Sequence, residues 1–180
     1  MTLKEIMTDV LALLDIRDIT LTDDAVAGDR RLSTIVDCVN FALEEIASSC
    51  APLIACETVS FRGGAAPYSD LREMVYKVMS VVVDGESIDF VKDVSGIKAN
   101  ADKAQVYYRY LPRRIGKLSD RAPVATGLPR IAVAYAACAE YALVRGEFEQ
   151  RVAFEDKFND YMKEFERPAK RVIIKKRAWR

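Results

Sequence analysis

The period of the hydrophobic pattern changes twice along this chain, from helical to alternating and back, and that change limits the fold more than any other feature. Leu3, Ile6, Met7, Val10 and Leu14 recur at helical intervals behind Thr2 and Glu5, which stand at capping-box spacing, so a helix is expected over 2–15. A polar stretch rich in Asp and Thr follows at 20–29 and reads as a loop. Leu32, Ile35, Val36, Val39, Leu43, Ile46 and Cys50 then line one face of an amphipathic helix over 31–50, stopped by Pro52.

From residue 53 the period is two. Leu53, Ala55, Glu57, Val59 and Phe61 alternate with Ile54, Cys56, Thr58 and Ser60 until Gly63-Gly64 ends the run. A run rich in β-branched residues at 74–83 leads into Asp84-Gly85, a strong hairpin signal because both central residues of the turn need positive φ. Ser87-Ile88-Asp89-Phe90-Val91 is its expected partner. A polar segment at 92–103 interrupts, and Gln105-Val106-Tyr107-Tyr108-Arg109-Tyr110 reads as a further strand closed by Pro112. Three or four strands between helices imply a small antiparallel sheet, not βαβ units.

Leu128-Pro129 reopens the helical pattern with proline at the first turn. Ile131, Ala132, Val133, Ala134, Ala136, Ala137, Ala139 and Ala142 make that helix smooth, so neighbours approach closely and it belongs at the centre of a bundle, with Gly146 as its stop. Phe154, Phe158, Tyr161 and Phe165 stripe a last helix over 147–166, ended by Pro168, as core and not as a cofactor box. The expected fold is mainly α: a small helical bundle with an inserted antiparallel β-hairpin or sheet at about 53–111. One α-rich domain covers 1–166 and an extended tail covers 167–180.

Composition argues against chemistry. The 180 residues include no histidine, which removes the usual general base, the usual zinc ligand and every Ser-His or Cys-His pairing. The four cysteines, at 38, 50, 56 and 138, form no Cys-x-x-Cys pair and read as small buried hydrophobes in a reducing compartment. Glu44-Glu45, Asp23-Asp24 and Glu147 with Glu149 are near neighbours that point apart on a helix and read as solvated faces. Gly63-Gly64 has neither phosphate-loop spacing nor a following Lys-Ser/Thr, so a turn is expected. Tyr107, Tyr108 and Tyr110 beside Arg109 have the look of a base-stacking platform. Tyr108 and Tyr110 nonetheless share a strand face, as in a half-buried sheet packed on helices or on another subunit. No catalytic residue, cofactor or metal is expected. Met1 runs straight into Thr2-Leu3-Lys4-Glu5, and neither a signal peptide nor a membrane-spanning stretch is expected.

The net charge of zero, 27 basic against 27 acidic residues, hides a division. Residues 167–180 hold seven basic residues and no acidic one, leaving 20 basic against 27 acidic over 1–166, a body at −7. A sign split of this kind marks an interaction arm for nucleic acid, an anionic membrane or an acidic protein surface, or for attraction between arm and body within or between copies. Here the basic residues Lys170, Arg171, Lys175, Lys176, Arg177 and Arg180 are interleaved with Val172, Ile173 and Ile174 and with Trp179, the one tryptophan. An apolar triad and a terminal aromatic are costly to leave in water and suit a segment that docks on another chain. Fully extended, such a segment reaches ~45 Å.

The order of parts resembles the head–tail connector (adaptor, or head-completion) proteins of tailed bacteriophages. The resemblance is carried by the N-terminal helices, the β insertion ending in Val106-Tyr107-Tyr108-Arg109-Tyr110-Leu111-Pro112, the Leu128-Pro129 start of an Ala-rich helix, the Gly146-Glu147 turn and the basic tail. It covers most of the chain and is architectural. It implies a virion protein of the neck, made in the host cytoplasm, with no enzymatic activity. Such proteins form a ring, usually dodecameric, under the portal protein and give the tail or a further neck protein its platform. DNA passes the lumen without specific binding, which an acidic wall would favour, and no membrane is involved. The resemblance also maps portal docking onto Lys170, Arg171, Val172, Ile173, Ile174, Lys175, Lys176, Arg177, Trp179 and Arg180. A nucleic-acid-binding protein using the same basic arm is the alternative.

Overall fold

A computed structural model describes residues 1–165; the tail, and with it every expected docking residue from Lys170 to Arg180, lies outside the described residues. Thr2 and Glu5 form the expected capping box, Thr2 N donating to Glu5 Oε2 at 2.8 Å and Glu5 N to Thr2 Oγ1 at 3.3 Å, and helix α1 follows over Leu3–Leu13. The stretch read as a loop holds a short helix, α2 (Asp23–Gly28), capped by the Thr22 hydroxyl, which accepts from Ala25 N at 3.1 Å. Six residues are too few for a hydrophobic period, and only the Thr cap marks it. Helix α3 (Arg30–Ser49) buries the face its spacing indicated.

Helices α4 (Arg130–Arg145) and α5 (Phe148–Phe165) complete the bundle. The alanines of α4 do what smooth surfaces allow: α1, α3 and α5 all lie against it, with Ala132, Val133, Ala134, Ala137 and Ala142 at zero exposure. Gly146, at φ 74°, turns the chain in the left-handed region that glycine enters freely. Leu3, Ile6, Met7, Val10, Leu32, Ile35 and Val39 are wholly buried around it. Each such side chain contributes ~1.5–3 kcal/mol of transfer free energy. The aromatic stripe of α5 packs against this core only in part, and Met162 is its one fully buried residue among those described. Tyr135 of α4 stacks on Tyr161 with centroids 5.8 Å apart and lies 6.3 Å from Phe154.

The expectation of a mainly α chain with a small insertion is corrected by the strand content. Over the described residues the structure is 45% helical and 25% strand, with seven strands in two antiparallel sheets, so the fold is mixed α and β. Strands β1 (Leu53–Ser60), β3 (Val75–Val83), β4 (Glu86–Ile88) and β7 (Lys103–Tyr110) form a four-stranded sheet in the order β1-β7-β3-β4. Strands β2 (Ala65–Pro67), β5 (Phe90–Lys92) and β6 (Gly96–Ala99) form a second sheet in the order β2-β6-β5. The second sheet was hidden because its strands are three or four residues long, and one sits in the polar segment at 92–103. The expected strand at 87–91 is really two, divided at Asp89, where the chain leaves one sheet for the other. The Asp84-Gly85 turn has φ 51° and 90°, as the hairpin requires.

The two sheets share one hydrophobic cluster: Val59, Val78, Val81, Ala104, Val106 and Tyr108 from the larger meet Ala66, Ile97 and Ala99 from the smaller. The helices have a separate cluster of their own. Tyr108 and Tyr110 do share an inward face, with ring centroids 6.5 Å apart, but that face packs on the second sheet and not on helices.

Between β7 and α4 the chain crosses both units as a stitched strap. Arg113 donates to Glu73 Oε2 at 3.1 Å and to the Arg72 carbonyl at 2.8 Å on the β side. On the helical side Arg114 donates to Asp37 Oδ1 at 2.5 Å, Leu118 N to Asp23 Oδ1 at 2.8 Å and Leu3 N to the Asp120 carbonyl at 2.9 Å.

Candidate functional site

Since strand residues alternate in direction, filling one face of the four-stranded sheet with core leaves the other to solvent. Ile54 pairs with Arg109, Cys56 with Tyr107 and Thr58 with Gln105 across β1 and β7, and all point outward. On the other side of β7, Lys77 pairs with Arg109 and Ser80 with Tyr107. Two register shifts interrupt β3, one between Val75 and Lys77 and one between Val78 and Ser80. Each is a bulge that adds one residue, Tyr76 and Met79 respectively, and both are about half exposed, as is Ile54. Bulges thus load this face with extra apolar side chains. Met74, just before β3, is exposed as well.

The charges on this face have one sign. Lys77, Lys103 and Arg109 stand on it, and no strand position of the face carries a carboxylate. Arg109 Nε is buried with no hydrogen-bond partner among the described residues, an unusual state for a guanidinium N–H. The Cys56 thiol beside Tyr107 raises the Tyr107 hydroxyl above its usual value.

A second apolar surface lies where α4 turns into α5. Val144, Phe148 and Val152 are 66%, 65% and 55% exposed. Phe148 and Val152 are one helical turn apart and form a stripe. Two cations there are already paired, Arg145 with Glu147 at 2.7 Å and Arg151 with Glu155 at 2.6 Å. Glu149 and Asp156, three and four residues from Val152, border the stripe from the same helix.

The sequence candidates fall as follows. The aromatic group separates: Tyr108 is core, its hydroxyl donating to Glu57, and burial raises it to about 12, while Tyr107 and Arg109 face outward. Cys38 and Cys138 are buried as expected, and burial pushes their thiols up to about 11 and about 12. Cys50 is half-buried and Cys56 exposed, which corrects the reading of all four as core; Cys56 falls on the outward register of β1. Of the carboxylates read as solvated, Asp23 instead caps the strap at Leu118 N. Glu45 lines a groove of about 230 Å³ with Glu140 and Glu155, where burial and then the Glu45 charge raise the Glu140 carboxyl.

Sequence reasoning missed both exposed apolar surfaces. The outward residues of β1 were legible as the other half of an alternation. The bulges in β3 were not, since each shifts the alternation by one. Among the described residues no helix is long and apolar enough to cross a membrane, and no cluster of Cys, Asp and Glu is arranged to hold a metal ion. No protein-family model matches this chain, and no curated protein matches it either.

Proposed function

We propose that this chain is a structural subunit of the head–tail connector ring of a tailed phage, docked on the portal through its C-terminal segment. The observation that carries this reading is the pair of unlike exposed apolar surfaces on one body, the outward sheet face and the α4–α5 turn. A subunit in a ring needs two different surfaces, one for each neighbour, because head-to-tail contacts close only through heterologous patches. The sequence adds the division between a body at −7 and a basic segment at 167–180. In this reading Ile173, Ile174 and Trp179 anchor on the portal, the Lys and Arg residues around them steer, and the acidic body lets DNA slide past.

The test is a truncation that removes residues 168–180. The full chain is expected to bind a portal ring and the truncated chain to lose that binding while keeping its far-UV circular dichroism. Undiminished binding by the truncated chain sinks the docking role. Salt-dependent DNA affinity that disappears with the same truncation would favour a nucleic-acid-binding protein instead.

A further inference from the structure

We propose that the outward face of the four-stranded sheet receives the α4–α5 turn of a second copy of this chain. The proposal rests on the ring reading above and specifies which surface meets which. Composition suits the sheet face to a protein partner: Tyr76, Met79, Tyr107 and Arg109 are residue types enriched where proteins meet, and Ile54 adds exposed apolar surface.

Charge selects the occupant. Two sheet faces brought together would set Lys77, Lys103 and Arg109 against their own copies, and two α4–α5 turns would set Glu149 and Asp156 against theirs. Like charges facing each other across an interface are costly. The C-terminal segment has apolar residues to offer, but its seven cations and absent carboxylates repel the same three cations. Only the crossed pairing places the Phe148–Val152 stripe on Ile54, Tyr76 and Met79 while bringing Glu149 and Asp156 toward Lys77, Lys103 and Arg109. Because the two surfaces differ, one copy can give its turn to a neighbour while receiving another, as a ring demands.

The experiment mixes two full-length proteins and adds a short bis-maleimide. One is Cys50→Ser, which removes the half-buried thiol and leaves Cys56 as the exposed one on the sheet face. The other is Cys50→Ser/Cys56→Ser/Val152→Cys, which moves the exposed thiol to the turn. A covalent dimer is expected in the mixture and in neither protein alone, with the joined peptides carrying Cys56 and position 152. Cross-linking of the single variant alone would show sheet against sheet, and cross-linking of the triple variant alone turn against turn; either overturns the proposal. Met79→Glu, an exposed position that should leave the fold intact, is expected to weaken self-association about tenfold or more. Equal association by Met79→Glu overturns the proposal too.

A dT oligonucleotide that binds the wild type and is lost on Tyr107→Ala would overturn it by making the face a base-stacking platform. Multimers that assemble on a portal without the mixed cross-link would sink this contact and leave the ring. A chain that stays monomeric with and without portal would sink both.

Discussion

Asn40 and Ile115, 75 positions apart, are joined through both ends of one buried amide: Ile115 N donates to Asn40 Oδ1 at 2.8 Å, and Asn40 Nδ2 donates to the Ile115 carbonyl at 2.9 Å. The same Nδ2 also donates to the Val36 carbonyl at 2.9 Å within α3. Asn40 is the one buried side-chain amide among the described residues. It gives the strap a backbone-like partner where no strand or helix does.

Replacing it should therefore cost more than its size implies. Asn40→Ala leaves the Ile115 N–H and carbonyl buried without partners, a loss of about 2–4 kcal/mol. Asn40→Asp keeps the acceptor, loses the donor and buries a charge, and should be no better. Urea unfolding checks both; a loss below about 1 kcal/mol in each would mean that the strap is held elsewhere.

The second sheet should tolerate little at Gly96. A Cβ there would collide with the Ala66 carbonyl oxygen of the paired strand and lie 2.8 Å from Pro67 Cα. Gly96→Ala is expected to cost about 2–3 kcal/mol. Gly146→Ala has open space around it and pays only for φ 74°, about 1–2 kcal/mol. Thermal or urea denaturation of the pair should show Gly96→Ala the more damaging; the reverse order would put the strain at the helix turn.

Thiol labelling at pH 8 should separate the cysteines. Cys56 is expected to react with an aromatic disulfide reagent at once and Cys50 more slowly. Burial holds Cys38 and Cys138 protonated and out of reach, so they should react only after denaturant is added. Four fast thiols would contradict the packing of α3 on α4.

Alkaline pH should loosen the fold. The buried Tyr108 hydroxyl is raised from an ordinary 10.0 to about 12, so the unfolded chain gives up that proton first. A pKa raised in the folded state contributes stability that is whole below the unfolded value and fades as pH climbs through the folded one. Stability is expected to fall between about pH 10 and 12, and to fall less in Tyr108→Phe. Identical alkaline slopes for both proteins would remove Tyr108 from the cause.

Long periodic elements were legible in the sequence and short ones were not. The Thr2–Glu5 box, the inner stripe of α3, the smooth α4 with its Gly146 stop, and the Asp84-Gly85 turn all stand where spacing and turn chemistry put them. The second sheet escaped because strands of three or four residues, interrupted by Asp93 and Ser95, carry too few side chains to show a period. The outward sheet face was half legible. Ile54 and Cys56 follow from the alternation of β1, but Tyr76 and Met79 reach that face through bulges that only strand pairing reveals.

The most direct test of a connector ring is the sedimentation mass of the full chain with and without a purified portal. A weak oligomer alone that becomes a closed multimer of fixed copy number on the portal is the expected result. A chain that remains monomeric beside the portal, yet binds DNA with steep salt dependence, would contradict it.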